Sequence, residues 1–94
     1  MDAEVFDNTD QRRFELDLPD GSTAAAYYRV DEEGRLVLIH TEVPPEFWGM
    51  GIASQLAAGA FHLMRQAGRK AVLRCQFMVN FFGRHPEYAD VVAG

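Results

Sequence analysis

The sequence holds a single cysteine, Cys75, which excludes an internal disulfide and suits a reducing compartment. It has no apolar run approaching the ~18 residues that a membrane-spanning helix needs, so no membrane association is expected. The first ten residues, MDAEVFDNTD, lack the basic and apolar blocks of a signal peptide, and a cytoplasmic location is expected. Repeats, low-complexity stretches and linkers are missing as well. There is no cationic surplus: the net charge is −5, which argues against a general nucleic-acid binder. No metal-ligand set is assigned. The charge is uneven, with acids crowded before Gly34 and Arg65, Arg69, Lys70, Arg74 and Arg84 in the last third. An anionic small ligand is therefore expected at the C-terminal half.

What is present fits one domain, residues 1–94, with one core and one shallow site. A chain this short buries roughly 60–65% of its unfolded surface. Residues 12–18, RRFELDL, alternate apolar and polar and predict a strand. The turn Pro19-Asp20-Gly21 leads to a second strand, TAAAYYRV over 23–30. After the turn DEEG, residues 35–43, RLVLIHTEV, are apolar on both faces and predict a central strand. These three strands predict an antiparallel meander. Ile52, Leu56, Ala60, Leu63 and Ala67 then recur at helical spacing, widened by Ala53, Ala57, Phe61 and Met64, and Gly68 closes the helix. Residues 70–75, KAVLRC, predict a strand parallel to 35–43, because a strand–helix–strand crossover joins them. Gln76–Arg84 predicts a short helix ended by His85-Pro86.

The long helix begins without a cap. Ser, Thr, Asp or Asn would normally meet its free N–H groups, yet PPEFWGMGIASQL, residues 44–56, places Trp48, Gly49, Met50 and Gly51 there. Glycines at a strand-to-helix turn let the backbone bend and let a ligand approach. The macrodipole adds about half a positive charge at that end. A phosphate or pyrophosphate fits both features; water capping an ordinary glycine turn fits the spacing too.

TEVPPEFWGMGIASQL resembles motif A of the GNAT superfamily of acyl-coenzyme A-dependent N-acetyltransferases. That signature, Arg or Gln followed by x-x-Gly-x-Gly/Ala, maps onto Trp48, Gly51 and Ala53, with Val43 and Pro45 before it. In order, LIHTEVPPEF, GIASQL, LRCQF and RHPEYAD are similar to a small single-domain branch of the superfamily, from about Phe14 to Val92. The resemblance implies a minimal GNAT-like α/β (α+β) fold: an N-terminal antiparallel meander, a β-α-β crossover and a C-terminal helix, in a mixed sheet of four or so strands. It implies acetyl-coenzyme A as cofactor and an amine as acceptor. The backbone from Met50 to Ser54, with Gly49, Gly51, Ile52 and Ala53, would hold the pyrophosphate. Trp48 departs from Arg or Gln and would pack over the pantetheine or adenine, or anchor in the core.

By the same resemblance, strands 35–43 and 70–75 would diverge around the thioester, with Phe77 nearby and the Val43 N–H facing the thioester carbonyl. Cys75, at the start of a helix, is either a nucleophile or acid/base group beside the acetyl, or a small buried hydrophobe. Its neighbour Gln76 stands where this branch usually has Pro. His40 and Glu42 share a strand face by the two-residue period, and His40 is either the general base or a structural histidine. Arg84 and His85 are candidates for the adenosine 3′-phosphate, with Arg65 and Arg69 beside them. The tyrosine that often serves these enzymes as general acid is missing from QFMVNFFGR. An N-acetyltransferase is the expectation. A coenzyme A-binding module with little catalysis and a pure interaction domain are its rivals.

Overall fold

The computed structural model describes residues 4–93. Five strands, β1 (Phe6–Asn8), β2 (Arg13–Asp17), β3 (Thr23–Val30), β4 (Leu36–Glu42) and β5 (Ala71–Leu73), form one sheet in sequence order. The helices are α1 (Ile52–Ala67) and α2 (Gln76–Arg84), and single 3₁₀ turns occupy Pro45–Phe47 and Pro86–Tyr88. Strands β1 to β4 are an antiparallel meander, and α1 carries the chain across to β5, which pairs parallel to β4. The α/β architecture follows the sequence expectation with one more strand. The addition is β1, three half-polar residues too short to show alternation. The strand predicted over 70–75 shrinks to Ala71–Leu73, with one further bond from the Arg74 N–H to the Leu38 carbonyl at 2.9 Å.

Aspartates set the two long hairpin turns. The Asp20 carboxylate accepts the Ser22 N–H at 3.0 Å, and Asp31 accepts the N–H groups of Glu33 and Arg35, both at 2.9 Å. Such side-chain acceptors mimic a backbone turn and start the next strand. One sheet face then presents Phe14 and Leu16 from β2, Ala24, Ala26 and Tyr28 from β3, Leu36 and Leu38 from β4, and Ala71 and Leu73 from β5, all buried. Against them α1 lays Leu56, Ala57, Ala60, Phe61 and Met64. The helix packs most extensively over β3, where inward Ala24 and Ala26 are small enough to let it approach.

The register of β3 and β4 slips once. Tyr28 pairs with Leu38 but Tyr27 pairs with His40, so Ile39 is an extra residue in β4. A bulge of this kind reverses which side chains point to which face. Before it Leu36 and Leu38 face the helices; after it His40 and Glu42 point to the opposite face. There the His40 ring stacks on Tyr27 with 5.8 Å between centroids, and Arg13 sits over the other part of the row, 5.6 Å from the Tyr27 ring. Thr41 and Val43 consequently take the helix side.

The C-terminal block RHPEYAD is a clamp. His85 stacks on Phe81 at 4.3 Å, Tyr88 stacks on Phe61 at 5.0 Å, and Phe61 stacks on Phe81 at 5.9 Å. Arg65 of α1 lies over Tyr88 and grips both Asp90 carboxylate oxygens, at 2.8 and 2.6 Å. Beyond it the chain end pairs alongside β5, with the Ala71 N–H donating to the Val91 carbonyl and the Ala93 N–H to the Ala71 carbonyl. The Arg65 hydrogen bonds hold the Asp90 carboxyl below its ordinary value of 3.8. A carboxyl depressed in the folded state stabilises above its unfolded value and loses that contribution as pH falls through the folded one. Wild type should therefore melt above Asp90→Asn at neutral pH, by a gap that closes only below pH 3.8; melting temperature against pH for both proteins reads it.

Candidate functional site

The helix α1 starts abruptly. Pro44 has no N–H, so β4 cannot extend its ladder there. The 3₁₀ turn follows, with the Phe47 N–H on the Pro44 carbonyl at 2.9 Å and the Trp48 N–H on the Pro45 carbonyl at 3.1 Å. Gly49 and Gly51 both take left-handed backbone, φ 80° and 77°, and Gly51 is the residue before the helix. A side chain there is strained whatever the space, so glycine is required for the turn itself. Around both glycines the space beyond Cα is open to 4 Å.

No side chain caps α1, and its first turn carries no acid. The first helical donor with a partner is the Gln55 N–H, on the Gly51 carbonyl at 3.0 Å. Among the described residues no acceptor meets the N–H groups of Ile52, Ala53 and Ser54. Three unmet donors at the positive end of a 16-residue helix can accept an anion.

These donors open into a cleft of about 360 Å³ between the end of β4, the turn and the start of α2. Its walls are Thr41 and Val43, then Phe47, Trp48, Gly49 and Gly51, then Ile52, Ala53 and Ser54, and Phe77. No lining side chain is charged, so an anion held there is held by backbone dipoles. Three aromatic rings supply a flat apolar wall, which suits a ligand with both an anionic and an apolar part.

Of the residues singled out from the sequence, Val43, Trp48, Gly49, Gly51, Ile52, Ala53, Ser54 and Phe77 come together in this cleft. Met50 is not in the lining; it points to solvent, 64% exposed. Trp48 is 69% exposed and is no core anchor; its indole N–H donates to the Val43 carbonyl at 2.7 Å. Cys75 is buried just behind the lining at the N-terminus of α2, and its Sγ lies 3.4 Å from the Thr41 hydroxyl. His40 lies on the far face of the sheet, exposed, with Nε2 3.2 Å from Glu42. Arg84 and His85 lie at the other end of α2, about 10 Å along the helix from Phe77, outside the cleft lining. His85 serves the aromatic stack instead. Arg65 is taken by Asp90, and Arg69 donates twice to the Gly34 carbonyl. Reasoning from the sequence missed Thr41 and Phe47. Phe47 has a signal in hindsight, an aromatic in a Pro-started turn; Thr41 depends on the bulge at Ile39.

Comparison with known proteins gives two findings. A family model for GCN5-related N-acetyl-transferases matches residues 13–91. The fold is similar to the solution structure of a GCN5-like protein from Staphylococcus aureus, at 22% identity and a TM-score of 0.72, covering 98% of this chain and 89% of that one. At that identity the likeness concerns the fold. No curated protein sequence matches.

Replacing Gly51 by Ala puts a Cβ on left-handed backbone, which costs roughly 1–2 kcal/mol. The expected result is a lower denaturant midpoint with an unchanged slope.

Proposed function

This chain belongs to the GCN5-related N-acetyl-transferase family, and from that premise we propose that it binds acetyl-coenzyme A and moves the acetyl group to an amine. The observation that carries this reading is the uncapped start of α1, three unmet N–H groups opening through two left-handed glycines into an uncharged, aromatic-walled cleft. The residues present fit the cofactor. The Ile52, Ala53 and Ser54 N–H groups would hold the pyrophosphate. Phe47, Trp48 and Phe77 would pack against its apolar arm.

Acetyl-coenzyme A, when bound, supplies an acetyl group activated as a thioester. The chain contributes an oriented donor. β3 pairing ends at Ala25–Glu42 and β5 pairing at Leu38–Leu73, so the backbone at Val43 has left both neighbours. Its N–H has no acceptor among the described residues. A fixed donor aimed at an oxygen that gains charge is worth about 3 kcal/mol of barrier. Cys75, with the Thr41 hydroxyl beside it, is the nearest proton-bearing thiol behind the lining. It offers a proton to the departing sulfur in direct transfer, or a nucleophile in a two-step route. Direct transfer is the first choice. His40, beside Glu42 on the opposite face of the same strand segment, would serve as base for an ammonium acceptor that approaches from that face. The acids crowded before Gly34 favour a cationic acceptor.

A coenzyme A-binding module with little turnover is the second reading. It is favoured by a cleft lining that contains no titratable side chain. Acetyl-coenzyme A at 100 times its Kd should stabilise the protein by about 2.7 kcal/mol, read as a raised melting temperature. Transfer to polyamines, amino acids and lysine peptides, followed by mass spectrometry, separates the enzyme from the module. A Cys75→Ala protein that still transfers, with no acetyl adduct on wild type, supports the direct route. A protein that is neither stabilised by acetyl-coenzyme A nor acetylates any amine of such a panel sinks the proposal.

A further inference from the structure

The end of β4 packs on the core through the Val43 side chain but has few backbone bonds. Its ladder to β3 stops at Glu42 and its ladder to β5 stops at Leu38. Pro44 ends any continuation. Among the described residues, the one hydrogen bond to the Val43 backbone comes from Trp48, whose indole N–H donates to the Val43 carbonyl at 2.7 Å. That bond spans the whole Pro45–Phe47 turn. The turn is itself rigid, with Pro44 before it, Pro45 as its first residue and the Phe47 and Trp48 N–H groups bonded back to their carbonyls, so it aims the ring backward onto the strand.

Burial does not explain the placement of this ring. Trp48 is the most exposed of the large apolar side chains and the only tryptophan in the chain. Val43 precedes a proline and is already confined to extended backbone. Fixing its carbonyl removes much of the freedom that is left. The direction of its N–H then follows, one residue's geometry away.

We propose that Trp48 is a positioning residue whose indole strut to the Val43 carbonyl fixes the end of β4 and so the direction of the Val43 N–H. The functional consequence rests on the acetyl-transfer reading above; the strut itself does not. A tryptophan here acts on turnover through the backbone, whereas a ring that merely touched the cofactor would act on affinity.

Two measurements test this. In ¹⁵N-labelled protein without ligand, the single tryptophan gives one indole N–H signal. It should exchange with solvent at least about tenfold more slowly than free indole, as a bonded proton does, and the Val43 amide signal should move in Trp48→Phe, which keeps a ring but removes the donor. In the acetyl-transfer assay, Trp48→Phe and Trp48→Ala should lower kcat alike, by about tenfold for a slightly misplaced donor, and in Trp48→Phe this loss should exceed any loss of affinity for acetyl-coenzyme A. An indole proton exchanging at the free rate overturns the strut. So does a Trp48→Phe protein with full turnover, or one with weakened affinity and intact kcat. A wild type that neither binds nor transfers defeats the function reading alone, and the indole exchange and Val43 shift then decide the strut.

Discussion

One extra residue in β4 decides what the cleft is made of. Were Ile39 a regular ladder residue and not a bulge, the two-residue alternation of the strand would turn His40 and Glu42 toward the helices. An imidazole and a carboxylate would then compete with water from inside the core, at a cost of several kcal/mol unless paired. The bulge sends both to the open face, where they meet each other and Tyr27. The same inversion brings Thr41 and Val43 to the cleft. It also aims backbone groups after the bulge toward the side on which β5 has already ended. A lining wall, a thiol partner and an unpaired donor therefore trace back to a single irregularity in pairing.

How much of this could be seen in the sequence depends on the kind of signal each element carries. The 3.6-residue recurrence from Ile52 to Ala67 is long, and a glycine closes it, so both ends of α1 are legible. The gap in its capping is equally legible, because it is read from residue types alone. The strand β1 is not: three residues, Phe6–Asn8, cannot display a period, and it exists because β2 offers an edge. The bulge is invisible for a different reason. RLVLIHTEV is apolar on both faces, so nothing in it marks a change of parity. That His40 and Glu42 share a face follows from spacing; which face follows from Ile39. Trp48 shows the same division. Its place in the turn can be read directly, but its bond to a carbonyl five residues earlier is a product of the intervening 3₁₀ turn.

The basic and histidine-bearing C-terminal half invites an electrostatic reading that the packing replaces. Arg65 and Arg69 are committed to Asp90 and to the Gly34 carbonyl. His85 and Tyr88 are layers in a stack with Phe81 and Phe61. This stack holds α2 against α1, and Phe77 at the head of α2 is what closes one side of the cleft. The clamp at one end of the short helix thus steadies a cleft wall at the other. An anion in that cleft would meet peptide dipoles, which do not titrate and need no counter-charge.

A five-stranded sheet has two rims, and each is a template on which a foreign strand can be laid. Here one rim is β1, only three residues long, and the other is partly sealed where Ala71 bonds the chain end at Val91 and Ala93. Neither offers a long unsatisfied row of amides and carbonyls. Copies of the protein therefore find no long border along which to polymerise strand against strand.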